Sequence, residues 1–278
     1  MKTVAIMLDS ELSLRKALHY GGCSRAMYYH KRKKDRNVRL DPAVVDAVKK
    51  IAVERPFYGT RRMAVMLSRE LGRPINRKQV QRVFHALNWV EPSKKKADII
   101  RSKGKTVKAS KPYELWEADM SYIWCGIDGW CYLFNVIDVF SREWIAYAFD
   151  TSAIKENAIQ SVMNASASHA KKIDISKLSL RVDNGPQYKS NAFRESMQLL
   201  GIRLEFIFRN TPEQNGHIES FHKTLKREYI WINDFSNYQE AEIAISKAFM
   251  DYNQYRIHSA LGYKTPYEFL SEWEMMNK

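Results

Sequence analysis

An abrupt change in charge near residue 112 is the feature that most constrains how this chain folds. Residues 1–112 contain 28 Lys and Arg against 9 Asp and Glu, a net charge of +19. Residues 113–278 contain 17 basic and 22 acidic residues, a net charge of −5. Because a cationic surface attracts polyanions over long distances, this pattern predicts one part that binds a polyanion and a second part with another task. A solvated basic surface without a partner is the alternative.

The composition excludes several classes of protein. Hydrophobic residues make up 45% of the chain, which is enough for a buried core. No apolar run approaches the roughly 18–20 residues of a membrane helix, and the first residues lack the pattern of a signal peptide. The three cysteines, Cys23, Cys125 and Cys131, form no CxxC pair, which disfavours a zinc cluster or a disulfide framework. We therefore expect a cytoplasmic, nucleoid-associated protein.

The basic part reads as short helices separated by turns. Residues 10–20 and 24–34 flank the Gly21-Gly22 break, which fits a helix-turn-helix or a plain helical hairpin equally well. A second unit has predicted helices at 41–52, 60–71 and 77–87, the last capped by Asn76. Residues 91–112 carry eight Lys and Arg with little periodicity, which is typical of a linker. The side chains expected to contact DNA are Arg61, Arg62, Arg77, Lys78, Gln81, Arg82, Lys94, Lys95 and Lys96.

From Tyr113 onward the pattern changes to strands and helices. The order is three antiparallel strands, then helix, strand, helix, strand and two closing helices, which predicts a mixed five-stranded sheet flanked by helices. It resembles the order of the RNase H-like fold. The expected strands are 115–124, 130–140, 143–149, 178–182 and 202–208, and the expected helices are 153–169, 191–200, 211–233 and 238–255. The expected domains are 1–39, 40–90, a linker at 91–112, and 113–278.

Three acidic residues occupy positions that can converge at one edge of this sheet. Asp119 lies in the middle of the first strand, Asp183 ends an apolar strand, and Glu219 follows 35 residues later near the start of a helix. Such a carboxylate cluster stays ionised only when it binds cations, and hard oxygen ligands select Mg²⁺ or Mn²⁺. Two ions would clamp the attacking and leaving oxygens of a phosphoryl transfer. Taken singly, each residue has an ordinary structural explanation as a strand-edge, turn or helix-cap residue.

Other carboxylates compete for the same assignment. Glu117 lies two residues before Asp119 and therefore projects from the same strand face. Glu213 precedes the helix that carries Glu219. We expect Glu117 and Glu213 to be surface or capping residues, and Asp138 to be a hydrogen-bonded structural residue near the end of the sheet.

Five stretches resemble the catalytic, OrfB-type subunit of bacterial or archaeal insertion-sequence transposases, within the retroviral-integrase-like superfamily. The resemblance extends over essentially the whole chain from about residue 40 onward. The stretches are PFYGTRRMAVML at 56–67, LWEADMSYI at 115–123, RVDNGPQY at 181–188, TPEQNGHIESFHKTLKREY at 211–229 and YNQYRIHSALGYKTPYEFL at 252–270.

The resemblance implies a DDE transposase in which Asp119, Asp183 and Glu219 hold two Mg²⁺ or Mn²⁺ ions. It also implies cleavage and joining of DNA at the ends of a mobile element, a homodimer or higher oligomer on DNA, and a copy-out route. The family often has His-Ser before its second Asp. Here Arg181-Val182 occupies that place, which makes an auxiliary histidine there unexpected.

Further residues near the motifs are expected to shape the site. Lys223 and Lys226 follow Glu219 by four and seven residues, which predicts a shared helix face that meets DNA. Trp116, Trp124, Trp130 and Trp144 are interpreted as core or strand-packing residues. The expected substrate groove consists of Asn184, Gln187, Tyr188 and His222.

Two other functions stay open at this point. A DNA-binding regulator could keep the fold without cutting, although the intact triad argues against it. A ribonuclease acting on RNA–DNA hybrids would use similar chemistry, but the basic N-terminal units and linker favour transposition.

Overall fold

The computed structural model describes residues 13–20, 22, 24, 40–90, 109–208 and 212–277. The expected helix at 24–34 and most of the expected linker, including Lys94 to Lys96, lie outside the described residues. The chain divides into two compact units between Val90 and Glu91. In the part of the chain that the structure covers, no helix is long and apolar enough to cross a membrane.

The first unit is helical, and its amphipathic sequence explains the packing. Apolar residues that recur every three or four positions on three helices meet in one small core, which includes Val48, Leu67 and Val80. Asn76 and Gln79 form a capping box at the start of the third of these helices, as the sequence predicts for Asn76. The helices are α1 (Leu14–Tyr20), α2 (Pro42–Glu54), α3 (Thr60–Glu70) and α4 (Arg77–Ala86).

The second unit is built on a five-stranded mixed sheet, which confirms the predicted fold class. The strand order is β3-β2-β1-β4-β5, with antiparallel pairing among β1, β2 and β3 and parallel pairing of β4 with β1 and β5. The strands are β1 (Leu115–Trp124), β2 (Trp130–Asp138), β3 (Trp144–Asp150), β4 (Ser179–Val182) and β5 (Arg203–Phe206).

Helices cover both faces of the sheet, because alternate residues of β1 and β2 are apolar on both sides. One core contains Trp116 and Ala118 and packs against α5 and α7. The opposite core contains Ile123 and Leu133 and packs against α8 and α9. The helices of this unit are α5 (Lys155–His169), α6 (Pro186–Lys189), α7 (Asn191–Leu199), α8 (Gly216–Leu225), α9 (Tyr238–Gln254) and α10 (Pro266–Met276).

The single helix predicted at 211–233 is wrong. A 3-10 turn at Pro212–Asn215 leads into α8, and a π-helical turn at Lys226–Ile230 follows it. Two side chains of the π turn bond to later residues of the same unit. Glu228 accepts two hydrogen bonds from Arg256 at 2.7 and 2.8 Å, and the hydroxyl of Tyr229 donates to Asp251 at 2.8 Å. The change of helix type therefore coincides with contacts to residues distant in the sequence, which the local periodicity of the chain cannot indicate.

The four tryptophans are core or strand-packing residues, as expected, because the exposed pair Trp124 and Trp130 packs edge-on across β1 and β2. Trp116 and Trp144 are fully buried, whereas Trp124 and Trp130 are 54% and 52% exposed at the far end of the β1–β2 hairpin. Asp138 confirms its expected structural role. It is buried and accepts the backbone amides of Tyr113 and Ser141 at 2.8 and 2.6 Å.

Candidate active site

The candidate site lies where β1 extends beyond its parallel neighbour β4. The last paired positions are Ala118 on β1 and Val182 on β4. Asp119 and Asp183 are the next residues on the two chains, so the pairing places them side by side at the end of β4. Asp119 lies on the face that packs against α8, because it alternates with Ala118 on the opposite face.

The third acid comes from α8, and β1 fixes the start of that helix. The carboxylate of Glu117 accepts the backbone amide of Ile218 at 2.9 Å. Ile218 is in the first turn of α8 and is the neighbour of Glu219, whose side chain is exposed. Glu117 thereby satisfies an amide that the helix itself leaves unpaired, and it places α8 across the sheet face that carries Asp119.

The pKa of Asp119 shows that the other two acids lie close to it. The pKa of Asp119 is raised to about 7, mainly by burial and then by the negative charges of Asp183 and Glu219. The backbone amide of Met120 donates to Asp119 Oδ1 at 2.8 Å and opposes this rise. The charges of Asp183 and Glu219 therefore disfavour ionisation of Asp119, which marks this end of the sheet as a region of negative potential.

The carboxylates are not drawn into a metal-binding arrangement. Among the described residues, no group of three or more His, Cys, Asp or Glu side chains is close enough to hold one metal ion. Asp183 Oδ1 instead accepts the amide of Gly185 at 2.8 Å. A Cβ at Gly185 would approach that oxygen to 2.9 Å, so glycine allows the tight loop after β4 to close on the carboxylate.

Glu117 differs completely from Asp119, although the two residues share a strand face. Glu117 is fully buried, so the expectation of a surface position is wrong, while the capping role is confirmed. Its carboxylate faces Arg181 at 3.5 Å and His217 at 3.3 Å, and Arg181 also contacts Glu205 at 3.3 Å. Arg181 is the residue that departs from the family's usual His-Ser pair, and here it neutralises the buried Glu117.

His222 lies between Asp119 and β2. Its Nδ1 is 3.6 Å from Asp119 Oδ2, and its Nε2 is 3.1 Å from the side-chain nitrogen of Asn135. Because Asn135 donates to Nε2, the ring proton belongs on Nδ1, which faces Asp119. Burial, and then the charge of Lys226, lower the pKa of His222 to about 3, so the ring is neutral and leaves Asp119 uncompensated. Asn135 is a site residue that the sequence analysis missed, because nothing in the pattern of β2 distinguishes it.

Lys226 occupies the other side of Asp119. It begins the π turn, and its ammonium nitrogen is 4.5 Å from the centre of the Tyr122 ring. Burial lowers the pKa of Lys226, whereas the charge of Asp119 acts in the opposite direction. Lys223 is exposed on the last turn of α8. The two lysines thus differ in burial, and the charge of Lys226 interacts with that of Asp119.

Family models match both units of the chain. The Integrase core domain matches residues 109–212 and, in a second model of the same description, residues 200–266, and an HTH-like domain matches residues 39–97. The chain is 30% identical over 240 residues to the transposase InsD of insertion element IS2A/D/F/H/I/K from Escherichia coli, covering 84% of this chain and 79% of the relative. The chain belongs to the insertion-element transposases.

Other comparisons agree with this family. The transposase InsD of insertion element IS2-9 from Escherichia coli (strain K12) is also 30% identical, over 84% of this chain and 78% of its own length. A solved chain of the simian T-cell lymphotropic virus intasome, in complex with PP2A regulatory subunit B56 gamma, has a TM-score of 0.50. It is 18% identical and covers 80% of this chain and 73% of its own. That likeness identifies the fold as that of retroviral integrase cores, and the transposase relatives support a role in DNA transposition.

The side chains that follow β4 bond to or pack against the rest of this unit, and they do not line an open groove. Asn184 donates to the carbonyl of Ile207 at 2.8 Å, and Gln187 donates to the carbonyl of Ala153 at 3.0 Å. Tyr188 is 1% exposed and packs edge-on against Phe193, so the prediction that it lines a groove is wrong. An apolar core formed by α5, α6 and α7 takes up the ring. Burial, followed by the charges of Asp119 and Asp183, raises the pKa of its hydroxyl.

The helical unit presents the predicted basic residues to solvent. On α4, Arg77, Lys78, Gln81 and Arg82 are exposed, while Val80 and Val83 are buried on the opposite side. On α3, Arg61 is exposed and Arg62 is half-buried, with its guanidinium 5.3 Å from the Tyr58 ring. The exposed face of α4 therefore carries three cations and one amide in two adjacent rows, an arrangement suited to phosphate and base-edge contacts.

Proposed function

We propose that this transposase cleaves DNA at the ends of its element and joins the new 3′-OH to another DNA phosphate, using Asp119, Asp183 and Glu219 to hold two divalent cations. The non-catalytic regulator and the ribonuclease are weaker candidates, because neither accounts for a DNA-transposing family together with an uncompensated acidic site.

The contrast between paired and unpaired acid on one strand carries the proposal. Glu117 has a guanidinium, an imidazole and a backbone amide as partners. Within the described part of the chain, Asp119 has no Lys or Arg at ion-pair distance, and its histidine neighbour is neutral. A half-buried carboxylate that faces two further carboxylates is costly to ionise unless a cation arrives.

The donor set fits magnesium or manganese. All three side chains offer only carboxylate oxygens, which are the ligands that hard divalent cations prefer. The ions, when bound, activate the attacking oxygen and stabilise the charge that develops on the transferred phosphoryl group. Asp119 and Asp183 come from neighbouring paired strands, which gives two of the three ligands a rigid support.

The remaining work of the site is to position DNA. Lys226 is held between Asp119 and the ring of Tyr122, where its ammonium can meet the phosphate that enters the carboxylate cluster. Lys223, exposed on α8, can contact a neighbouring phosphate. The neutral His222, which contacts Asn135, lies 3.6 Å from Asp119 and adds no positive charge beside that carboxylate.

The experiment is a strand-transfer assay with duplex oligonucleotides carrying the ends of the transposase's own element, in Mg²⁺. We expect wild-type protein to release a 3′-OH and to join it to a second duplex, and Asp183→Asn to do neither while binding the duplex with unchanged affinity. Asp174→Asn is the matched control, because Asp174 is an exposed aspartate in a 3-10 turn paired with Lys177. Joining by Asp183→Asn at the wild-type rate would remove Asp183 from the site.

An RNA–DNA hybrid of the same sequence separates the alternatives. The proposal predicts cleavage of element-end DNA and none of the hybrid. Cleavage of the hybrid alone would favour the ribonuclease, and binding without cleavage of either substrate would favour the regulator.

A further inference from the structure

Three aromatic side chains near the turn of the β1–β2 hairpin are about half exposed to solvent. We call Tyr122, Trp124 and Trp130 the aromatic surface, and they are 54%, 54% and 52% exposed. The same unit fully buries Trp116 and Trp144, so it has places for tryptophan in its cores. Large aromatic rings that stay exposed forgo the free energy of burial. A cluster of them on the surface therefore indicates a contact site.

The rings form a fixed array. Trp130 packs edge-on against both Tyr122 and Trp124, with ring centres 5.3 Å apart in each case and interplanar angles of 88° and 74°. Trp124 and Trp130 are direct cross-strand partners in the sheet. Because both strands are hydrogen-bonded, the rings lose little further freedom when a ligand arrives.

The aromatic surface is continuous with the candidate active site through Lys226. Tyr122 and Asp119 lie on opposite faces of β1, and Lys226 is near both, because its ammonium is 4.5 Å from the Tyr122 ring and its charge interacts with that of Asp119. A phosphate that contacts this ammonium therefore brings its attached nucleoside next to the rings. Cation and aromatic rings side by side match a nucleic-acid strand, whose phosphates are anionic and whose bases stack.

We propose that the aromatic surface binds unpaired DNA bases beside the phosphate that is cut. The inference rests on the proposed function, because it takes the substrate of the same site to be DNA. It adds a recognition element that the three carboxylates do not supply: stacking on bases of a locally opened strand. Stacking accepts any base, so the surface contributes affinity and strand opening without reading sequence.

The test compares two labelled single strands of equal length and charge, one of mixed sequence and one whose sugars carry no bases. Fluorescence anisotropy with the full chain, without divalent metal, gives both affinities and does not depend on the carboxylates. We expect wild-type protein to prefer the strand with bases. The double variant Trp124→Ala, Trp130→Ala should lose about tenfold to a hundredfold of affinity for that strand and none for the abasic strand.

Two controls make the result specific. Trp231→Ala removes another tryptophan, 71% exposed and outside the aromatic surface, and should leave both affinities unchanged. The double variant Trp124→Phe, Trp130→Phe keeps rings at both positions and should retain most of the preference. Near-ultraviolet circular dichroism checks folding, and the phenylalanine variant keeps the test decisive if the alanine variant unfolds.

Three outcomes would overturn the inference. The alanine variant could lose affinity equally for both strands, it could lose none, or the phenylalanine variant could lose the base preference as completely as alanine. A change in sedimentation with an unchanged base preference would instead assign the surface to contact between copies of the chain. Failure of the proposed function is separate: wild-type protein that stacks bases but never joins strands would refute the enzyme and leave the base-binding surface.

Discussion

Two acidic regions lie side by side on β1, and they have opposite surroundings. Around Glu117, a guanidinium, an imidazole and the amide of Ile218 surround one buried carboxylate. Burial, and then the charges of two more carboxylates, raise the pKa of Asp119. The first region contains its own positive partners, and we propose that the second acquires them by binding a cation. Both residues carry a carboxyl group on the same strand face, so it is their partners that distinguish them.

The difference also explains how the site is assembled. Glu117 caps the helix that delivers Glu219, so a buried, paired acid helps to position one of the proposed metal ligands. Changes to the Asp119 region should therefore alter chemistry and leave folding intact, whereas changes to the Glu117 region should alter folding first.

The largest expected effect is on catalysis, from Asp119→Asn. The amide keeps the shape of the side chain but removes a charged metal ligand, so strand joining should fall on the order of a thousandfold or more. The thermal midpoint should stay equal to wild type or rise, because one of three mutually repelling carboxylates is gone. Joining rates and calorimetric unfolding of the same preparations test the two halves. A clear fall in the midpoint would mean that Asp119 is structural, like Glu117.

The next effect is on stability, from Glu117→Ala. Removing this carboxylate leaves the buried Arg181 with Glu205 as its remaining acidic partner and uncaps α8. We expect a loss of about 3 to 5 kcal/mol in the free energy of unfolding, measured by urea denaturation. Glu114→Ala is the control, because Glu114 is an acid at the surface bonded to Ser110. A loss below about 1 kcal/mol, the ordinary value for a surface ion pair, would contradict the description of Glu117 as an enclosed partner of Arg181.

A smaller, mixed effect is expected from Glu228→Gln. Glu228 is a satisfied acid like Glu117, but its bidentate partner Arg256 holds the π turn that begins with Lys226. We expect a loss of about 2 to 3 kcal/mol in stability and about tenfold slower joining, because the turn that carries Lys226 loosens. Unfolding and joining are measured at a temperature where the variant is fully folded. Unchanged joining there would show that the π turn does not position Lys226.

The smallest effect belongs to Lys223→Ala. Lys223 is exposed, so its loss should weaken DNA binding severalfold and reduce the slope of log affinity against log salt by about 1, without lowering stability. Titrations of element-end DNA across a salt series measure both. Lys247→Ala, on the exposed side of α9, should leave the slope unchanged. An equal change for both lysines would mean that α8 has no special contact with DNA.

Much of the fold could be predicted because local signals and topology agreed. The expected strands at 115–124 and 130–140 match β1 and nearly all of β2, and the expected helix at 191–200 matches α7 to within one residue. The positions of Asp119 and Asp183 followed from the strand pattern and the family motifs. The identification of the three acids as metal ligands stays a prediction.

What could not be predicted depends on partners distant in the chain. Glu117 contacts Arg181, 64 residues away, and Ile218, 101 residues away, so no local pattern distinguishes it from Asp119. Tyr188 entered a core made by three helices, and Trp124 extended beyond the part of the sheet that the helices cover. Periodicity gives the face of a strand on which a side chain lies, but the depth of cover on that face is a property of the assembled layers.

Binding of Mn²⁺ by calorimetry tests the central contrast most directly, with Asp119→Asn compared with Glu117→Gln. Glutamine at position 117 keeps an oxygen that can accept the amide of Ile218, so the helix cap survives while the charge is lost. We predict that Asp119→Asn abolishes measurable Mn²⁺ binding and that Glu117→Gln, once shown to be folded, binds Mn²⁺ with nearly wild-type affinity. Loss of binding in Glu117→Gln with retention in Asp119→Asn would contradict the account.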